Sequence, residues 1–379
     1  MDQQATTNPP DVVVLGGGIV GVAAAAHLAE TGQRVVLLER DAIGAGASGR
    51  NSGVVQHPFD PVLVELHLET LALYRALEDD GFRLPDRPAG LLNVTHDAEG
   101  AARLAEALQR SYPALEPTYL APGDAAALEP ALAPWVAACR LEIGYPVGPL
   151  AATLAYARLA ERRGVEIRLG SAARPRIVRG TAVGVVLDDG VTIDAAEVVV
   201  ATGPWAPELV DPTGRWRPIR PLWGVVATIE LERPPHHVLE EAEVGIEPGA
   251  ETATDDPGLA FSLMTADGAS SLGSTFLDDE PDAAALVPAL VARGARFVPE
   301  VGRAPTRGHR QCARPLSADG RPLIGRIPWV NRLWVVAGHG PWGISTGPAS
   351  GRLLADLIAG TVPNPPPAVD PIRFGTPAD

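Results

Sequence analysis

Apolar residues are unevenly spaced along the chain, and their spacing predicts most of its elements. Residues 11–15 read Asp-Val-Val-Val-Leu, a run apolar on both faces, as a central parallel strand requires. A glycine cluster follows, then an alanine-rich helix to about Glu30. The chain breaks at Thr31-Gly32-Gln33 and gives a second apolar strand over 34–38, ending in Glu39. These pieces form a complete βαβ unit. Beyond it, 44–53 is a loop of small residues, and helical spacing predicts helices over 61–77, 98–110 and 149–163. Residues 81–140 are punctuated by proline. A strand over 165–169 leads into a hairpin-like region turning at Asp188-Asp189-Gly190, and 197–200 is another buried strand, ending at Ala201-Thr202-Gly203. From 216 to 310 the pattern shifts to alternation, as over 225–231, which predicts a sheet facing a cavity, with acidic loops between strands. A strand over 333–337, a Gly-rich turn and a helix over 348–358 come last, before a Pro-rich tail expected to be extended. The expected fold class is α/β with an α+β part: a Rossmann-type dinucleotide-binding domain joined to a mixed β-sheet domain.

Composition narrows the chemistry. The chain has 379 residues, 46% hydrophobic and 20% charged, which suits a sizeable core and either two domains or one large fold with a subsidiary module. Its formal charge of −15 argues against a grip on nucleic acid or an anionic membrane. All 31 basic residues are arginine. That removes a lysine Schiff base, a Walker-type phosphate lysine and a lysine general base. Two cysteines, Cys139 and Cys312, make no disulfide framework, so a reducing cytoplasm is expected. Residues 1–10 are polar and lack the basic start of a signal peptide. The apolar stretch 12–28 is long enough to resemble a membrane span, but its glycines read as a strand turning into a helix.

The spacing Gly16, Gly18, Gly21 has a mechanism. The first glycine permits a tight strand-to-helix turn, the second lets a pyrophosphate reach the backbone, and the third lets helix and strand pack closely. The helix N-terminus adds N–H groups and partial positive charge. Glu39 ends the second strand, where a carboxylate accepts from ribose hydroxyls and repels a 2′-phosphate. With strand, helix, second strand and terminal acid in order, the pattern points to a dinucleotide rather than a ligand-free turn. It does not by itself separate NAD from FAD.

Other motifs do. The loop Gly46-Ala-Ser-Gly-Arg-Asn-Ser-Gly53, with Ala201-Thr-Gly-Pro-Trp-Ala206 and Gly338-His-Gly-Pro-Trp-Gly343, resembles the FAD-dependent amine oxidoreductases of the D-amino acid oxidase, glycine oxidase and sarcosine oxidase family. The likeness extends to Arg314-Pro-Leu-Ser-Ala-Asp-Gly-Arg-Pro-Leu-Ile-Gly325 and Gly347-Pro-Ala-Ser-Gly-Arg-Leu-Leu-Ala355. The resemblance implies an FAD-binding domain stitched from 10–80, 141–215 and 311–363, a substrate-binding domain from 81–140 and 216–310, and a tail over 364–379. It implies hydride transfer from the substrate α-carbon to flavin N5, giving an imine, with oxygen or another electron acceptor reoxidising the flavin. Cofactor contacts are expected at Gly16, Gly18, Ile19, Val20, Gly21, Glu39 and Arg40. Others are expected at Ala47, Ser48, Arg50, Asn51, Ser52, Gly53, Ala173, Ala201, Thr202 and Gly203, and at Gly338, Gly340, Pro341, Trp342, Gly343 and Ile344.

For the substrate, a small-molecule amine or amino acid, the resemblance places Arg314 where the family holds a carboxylate, and a guanidinium suits that task with two parallel bonds. His57 and Trp342 are candidates for the catalytic side of the cavity. Trp223, Phe261, Met264 and His339 are candidates for its wall, with plain packing as the alternative for each. Phe261 stands where relatives often place a substrate-binding tyrosine, which suggests a more apolar pocket. Cys312, two residues before Arg314, has the offset of a covalent flavin link, while Gln311-Cys-Ala-Arg-Pro315 resembles the non-covalent pattern more. Non-covalent FAD is expected, and the Cys312 link stays open. Sarcosine oxidases resemble one another in a lysine near the flavin that promotes reaction with oxygen; this chain has none. Oxidase and dehydrogenase therefore both remain, as does an FAD-binding subunit inactive without a partner. No spacing of His, Cys and Asp suggests a metal.

Overall fold

The computed structural model describes residues 9–242 and 258–377. The reading of the first ten residues thus falls almost wholly outside the described part.

Two large sheets organise the molecule. The first has six strands in the spatial order Leu323–Arg326, Leu333–Ala337, Glu197–Val200, Val12–Leu15, Val35–Leu38, Glu166–Arg168. All are parallel except Leu323–Arg326, which runs antiparallel to its neighbour. Alternation on the central strand explains the layers. Val12 and Val14 face a core with the helices Ile19–Glu30, Ala151–Arg162 and Gly343–Ala359. Val13 and Leu15 face the other core, shared with Ala182 and Val185 of the three-stranded sheet 173–194. A strand buried on both faces is apolar at every position, which is why residues 12–15 show no alternation.

The second sheet has eight strands, in the order Thr306–Ser317, Ile219–Ile229, Ala269–Thr275, Leu259–Ala266, Val238–Glu241, Leu91–Thr95, Ala137–Leu141, Thr118–Leu120. It is antiparallel except where Val238–Glu241 meets Leu91–Thr95. One face packs on the helix Ala283–Phe297, capped by the Asp282 carboxylate. Alternation across 216–310 anticipated the strands but not this helix.

The strand Thr306–Ser317 pairs along its length with Ile219–Ile229 and so crosses the expected boundary at residue 311. Its far end reaches the other half of the molecule, where Leu316 bridges to His339. The tail is not simply extended. Asp370 caps a tight turn over Pro371–Phe374, Val369 O accepts from Ile324 N, and Arg373 pairs with Asp319. Residues 378 and 379 lie outside the described part.

Candidate active site

Strand Val12–Leu15 ends at Gly16, whose φ of +108° favours glycine. A Cβ there would lie 2.5 Å from Ala201 O, and one on Gly21 would lie 2.0 Å from Gly16 O. These approaches bring the Ile19–Glu30 helix down on the strand with its N-terminus open. Gly18 is the N-cap and has no side chain to spend on the first turn, which carries no acid. The Ser48 hydroxyl accepts from Ile19 N at 2.9 Å, tying the small-residue loop to that end. Within the loop, Ala47–Arg50 forms one helical turn.

A cavity of about 920 Å³ opens at this point. Its wall includes, of the expected cofactor residues, Gly16, Gly18, Ile19, Val20, Glu39 and Arg40 on the βαβ unit. Ala47, Ser48, Arg50 and Asn51 come from the loop, and Ala173, Ala201, Thr202 and Gly203 from the strand ends. Gly340, Pro341, Gly343 and Ile344 come from the last turn. Gly21, Ser52, Gly53, Gly338 and Trp342 are not in that wall. Gly53 N donates instead to its neighbour Asn51, and Trp342 packs against the helical core. Glu39 lines the cavity with its oxygens already accepting from Gly17 N at 2.6 Å and Asp41 N at 2.8 Å. Each oxygen keeps a further lone pair for a sugar hydroxyl.

At the other end of the cavity the eight-stranded sheet supplies Trp223, Gln311, Cys312, Ala313, Arg314 and Pro315. Arg314 donates from Nη1 to Thr275 O at 2.8 Å and from Nη2 to Ser274 Oγ at 2.5 Å, and its Cζ lies 4.8 Å from the Phe276 ring centre. All these partners are neutral, and among the described residues no carboxylate pairs with it. Cys312 is buried, and burial raises its thiol pKa despite Arg314, Arg310 and Arg50 nearby.

His339 also lines the cavity. The Ser350 hydroxyl gives its proton to Thr346 O at 3.0 Å, which leaves its lone pair for His339 Nε2–H, also at 3.0 Å. Nδ1 is then a bare acceptor without a partner among the described residues, and burial pushes the imidazole pKa down to about 3. The buried Thr202 hydroxyl, in the same wall, likewise has no partner among the described residues.

Three expected pocket residues sit elsewhere. Phe261 points to the helical side of its strand, stacked on Phe297 with ring centres 4.8 Å apart, so it builds core and says nothing about pocket polarity. Met264 has the opposite parity but is buried with Val54, Leu91 and Val238. His57 packs edge-on to Phe59, His67 and Tyr112. Burial lowers its pKa, and it does not line the cavity.

The sequence reading missed the Ser274–Thr275–Phe276 cradle and a part-buried pair behind the last turn. In that pair Gln56 donates to Glu240 at 2.9 Å, while Gln56 N donates to Ser345 Oγ. Burial pushes the Glu240 carboxyl up to about 7. Among the described residues no cluster of three or more metal-ligating side chains forms, and no helix is long and apolar enough to cross a membrane.

An open helix end, a roomy cavity and unmet polar atoms on Thr202 and His339 fit a dinucleotide. A family model described as FAD dependent oxidoreductase matches residues 11–357. The chain belongs to the FAD-dependent oxidoreductase family. Glycine oxidase of Geobacillus kaustophilus is 32% identical to this oxidoreductase over 371 residues, covering 93% of each chain. A D-amino acid dehydrogenase of Paramagnetospirillum magneticum is 26% identical over 428 residues, covering 92% of this chain and 95% of its own. The crystal structure of glycine oxidase from Geobacillus kaustophilus superposes with a TM-score of 0.80 at 26% identity, covering 97% of this chain and 98% of that one. This oxidoreductase is an FAD-dependent enzyme of amino acid or amine oxidation.

Proposed function

We propose that this oxidoreductase oxidises the Cα–N bond of an amino acid whose carboxylate is held by Arg314. The supporting observation is a guanidinium in the cavity wall with only neutral partners. A buried cation without an anion is unfavourable, and a carboxylate meets a guanidinium through two parallel charge-assisted bonds. FAD, held by the open helix end and the walls around it, supplies the hydride acceptor.

The protein's own part is orientation and desolvation. Arg314 fixes the α-carbon through the carboxylate, and Trp223 gives the cavity wall beside it an apolar surface. An amine bound in neutral form has the lone pair that assists hydride departure, so no strong base is needed. His339 suits that scheme because its lowered pKa keeps it neutral and places no second cation beside the amine. The imine product is then hydrolysed by water.

A buried thiol with a raised pKa favours non-covalent FAD over a link to Cys312, since the thiolate is the nucleophile. Acid precipitation leaving a yellow supernatant and a colourless pellet supports this. The −15 charge speaks against a nucleic-acid partner, and two unpaired cysteines favour a reducing compartment such as the cytoplasm. The absence of lysine favours a second reading, a dehydrogenase that passes electrons to an acceptor other than oxygen. Oxygen uptake during turnover separates it from the oxidase.

The test is an anaerobic visible spectrum during addition of glycine, D-amino acids, N-methylglycine and proline analogues. One of them bleaches the oxidised flavin, and Arg314→Ala raises its KM about 100-fold or more. Bleaching by amines without a carboxylate, untouched by Arg314→Ala, overturns the assignment.

A further inference from the structure

We propose that Gly224 is the residue that makes this enzyme select carboxylate-bearing substrates, because its bare backbone is the seat of the Arg314 guanidinium. The inference rests on the carboxylate role of Arg314.

Gly224 lies inside the strand Ile219–Ile229, opposite Cys312 and one residue from the cavity-lining Trp223. A Cβ on it would lie 2.3 Å from Arg314 Nη2 and 2.4 Å from both Cζ and Nη1. The guanidinium therefore occupies the volume that any other residue at position 224 would fill. The backbone itself does not ask for glycine, since Gly224 is not among the residues with positive φ. Glycine inside a strand is a cost in chain entropy and lost packing, so the reason for it lies in its neighbour. That neighbour is held on further sides by the Thr275 carbonyl, the Ser274 hydroxyl and the Phe276 ring. Gly224 and the Ser274–Thr275–Phe276 cradle thus set one pose of the fork, and Gly224 is the part of the seat that tolerates no side chain.

What yields on substitution is also legible. The atoms within 2.4 Å are the end of a flexible side chain rather than backbone. Gly224→Ala is expected to fold, bind FAD and swing Arg314 out of its pose. Gly224 is a positioning residue, acting on substrate only through Arg314.

The probe is acetate, which carries the recognised group and nothing else, titrated against the visible spectrum of the FAD-loaded protein. Gly224→Ala is expected to weaken acetate about tenfold or more while the unfolding temperature holds or rises. In an Arg314→Ala background the same change is expected to weaken it no further, because the residue it acts through is gone. The KM of the amino acid that bleaches the flavin rises in parallel, and kcat changes much less. Unchanged acetate binding in Gly224→Ala overturns the proposal, as does an equal loss in the Arg314→Ala background. If Gly224→Ala does not fold, Ser274→Ala tests the same seat without added bulk. A loss of about threefold or more that vanishes in the Arg314→Ala background supports the proposal, and no loss overturns it. If Arg314→Ala alone leaves acetate binding intact, the carboxylate reading itself fails, and this arm identifies that failure separately.

Discussion

Glu240 meets no cation among the described residues, and its contact with Gln56 is between a neutral amide and a group that burial keeps protonated up to about pH 7. Its folded pKa lies above the unfolded value of 4.5, so its contribution is fully present below pH 4.5 and is lost as pH rises toward 7. Glu240→Gln keeps an acceptor for Gln56 and removes the titration. The variant is expected to match the parent near pH 4.5 and exceed it by about 1–3 kcal/mol at pH 8, read from denaturant midpoints. Residues of this kind mark the limit of what one sequence displays. Gly16, Gly21 and Arg314 were legible because a turn, a close approach and a motif each leave a local trace. Gly224, Ser274 and Glu240 leave none. Their partners stand 90, 40 and 184 positions away and are brought near only by strand pairing and loop packing.

Elements were read well where their period was clean and poorly where two signals competed. The helices Pro61–Arg75, Ala98–Ser111 and Ala151–Arg162 fall within a few residues of expectation. Ala283–Phe297 was missed although its buried residues Ala283, Leu290, Arg293, Gly294 and Phe297 keep helical spacing, because Pro288 interrupts the pattern and strands surround it. The strand Leu259–Ala266 shows how parity decides role: Phe261 faces the helix, whereas Ser262 takes the opposite face. Contact between Ile19–Glu30 and Gly343–Ala359 makes a further element-scale prediction. A Cβ on Gly351 would lie 2.6 Å from Ala24 N, which is backbone and cannot turn aside. Gly351→Ala is expected to push the two helices apart and destabilise the protein by about 1–3 kcal/mol, measured by urea unfolding. FAD affinity should fall with it, since the first of these helices presents its N-terminus to the cavity.

Among the described residues, buried imidazoles outweigh the carboxyls that burial raises, Glu240 and Glu69. Burial pushes His67 down to about 4 and His339 down to about 3, so both are neutral in the native state. Their stabilising contribution is complete above the unfolded pKa near 6.5 and is lost as pH falls toward those values, about 3 kcal/mol for His67 and about 5 kcal/mol for His339. The holoenzyme's unfolding temperature is expected to drop steeply between about pH 6.5 and 4, and His67→Gln to flatten the drop. A final consequence concerns how such a chain is made. The central strand Val12–Leu15 emerges well before its neighbour Glu197–Val200 and the next strand, Leu333–Ala337. The helix that covers Ile19–Glu30 ends at Ala359. Until the ribosome passes that point, the nucleotide-binding end of the fold has one sheet flank and one helical cover missing, and its apolar surfaces stay open to chaperones and to other nascent chains. Chains stalled at residue 320 are therefore expected to retain no FAD, because the helix ending at Ala359 has yet to be made.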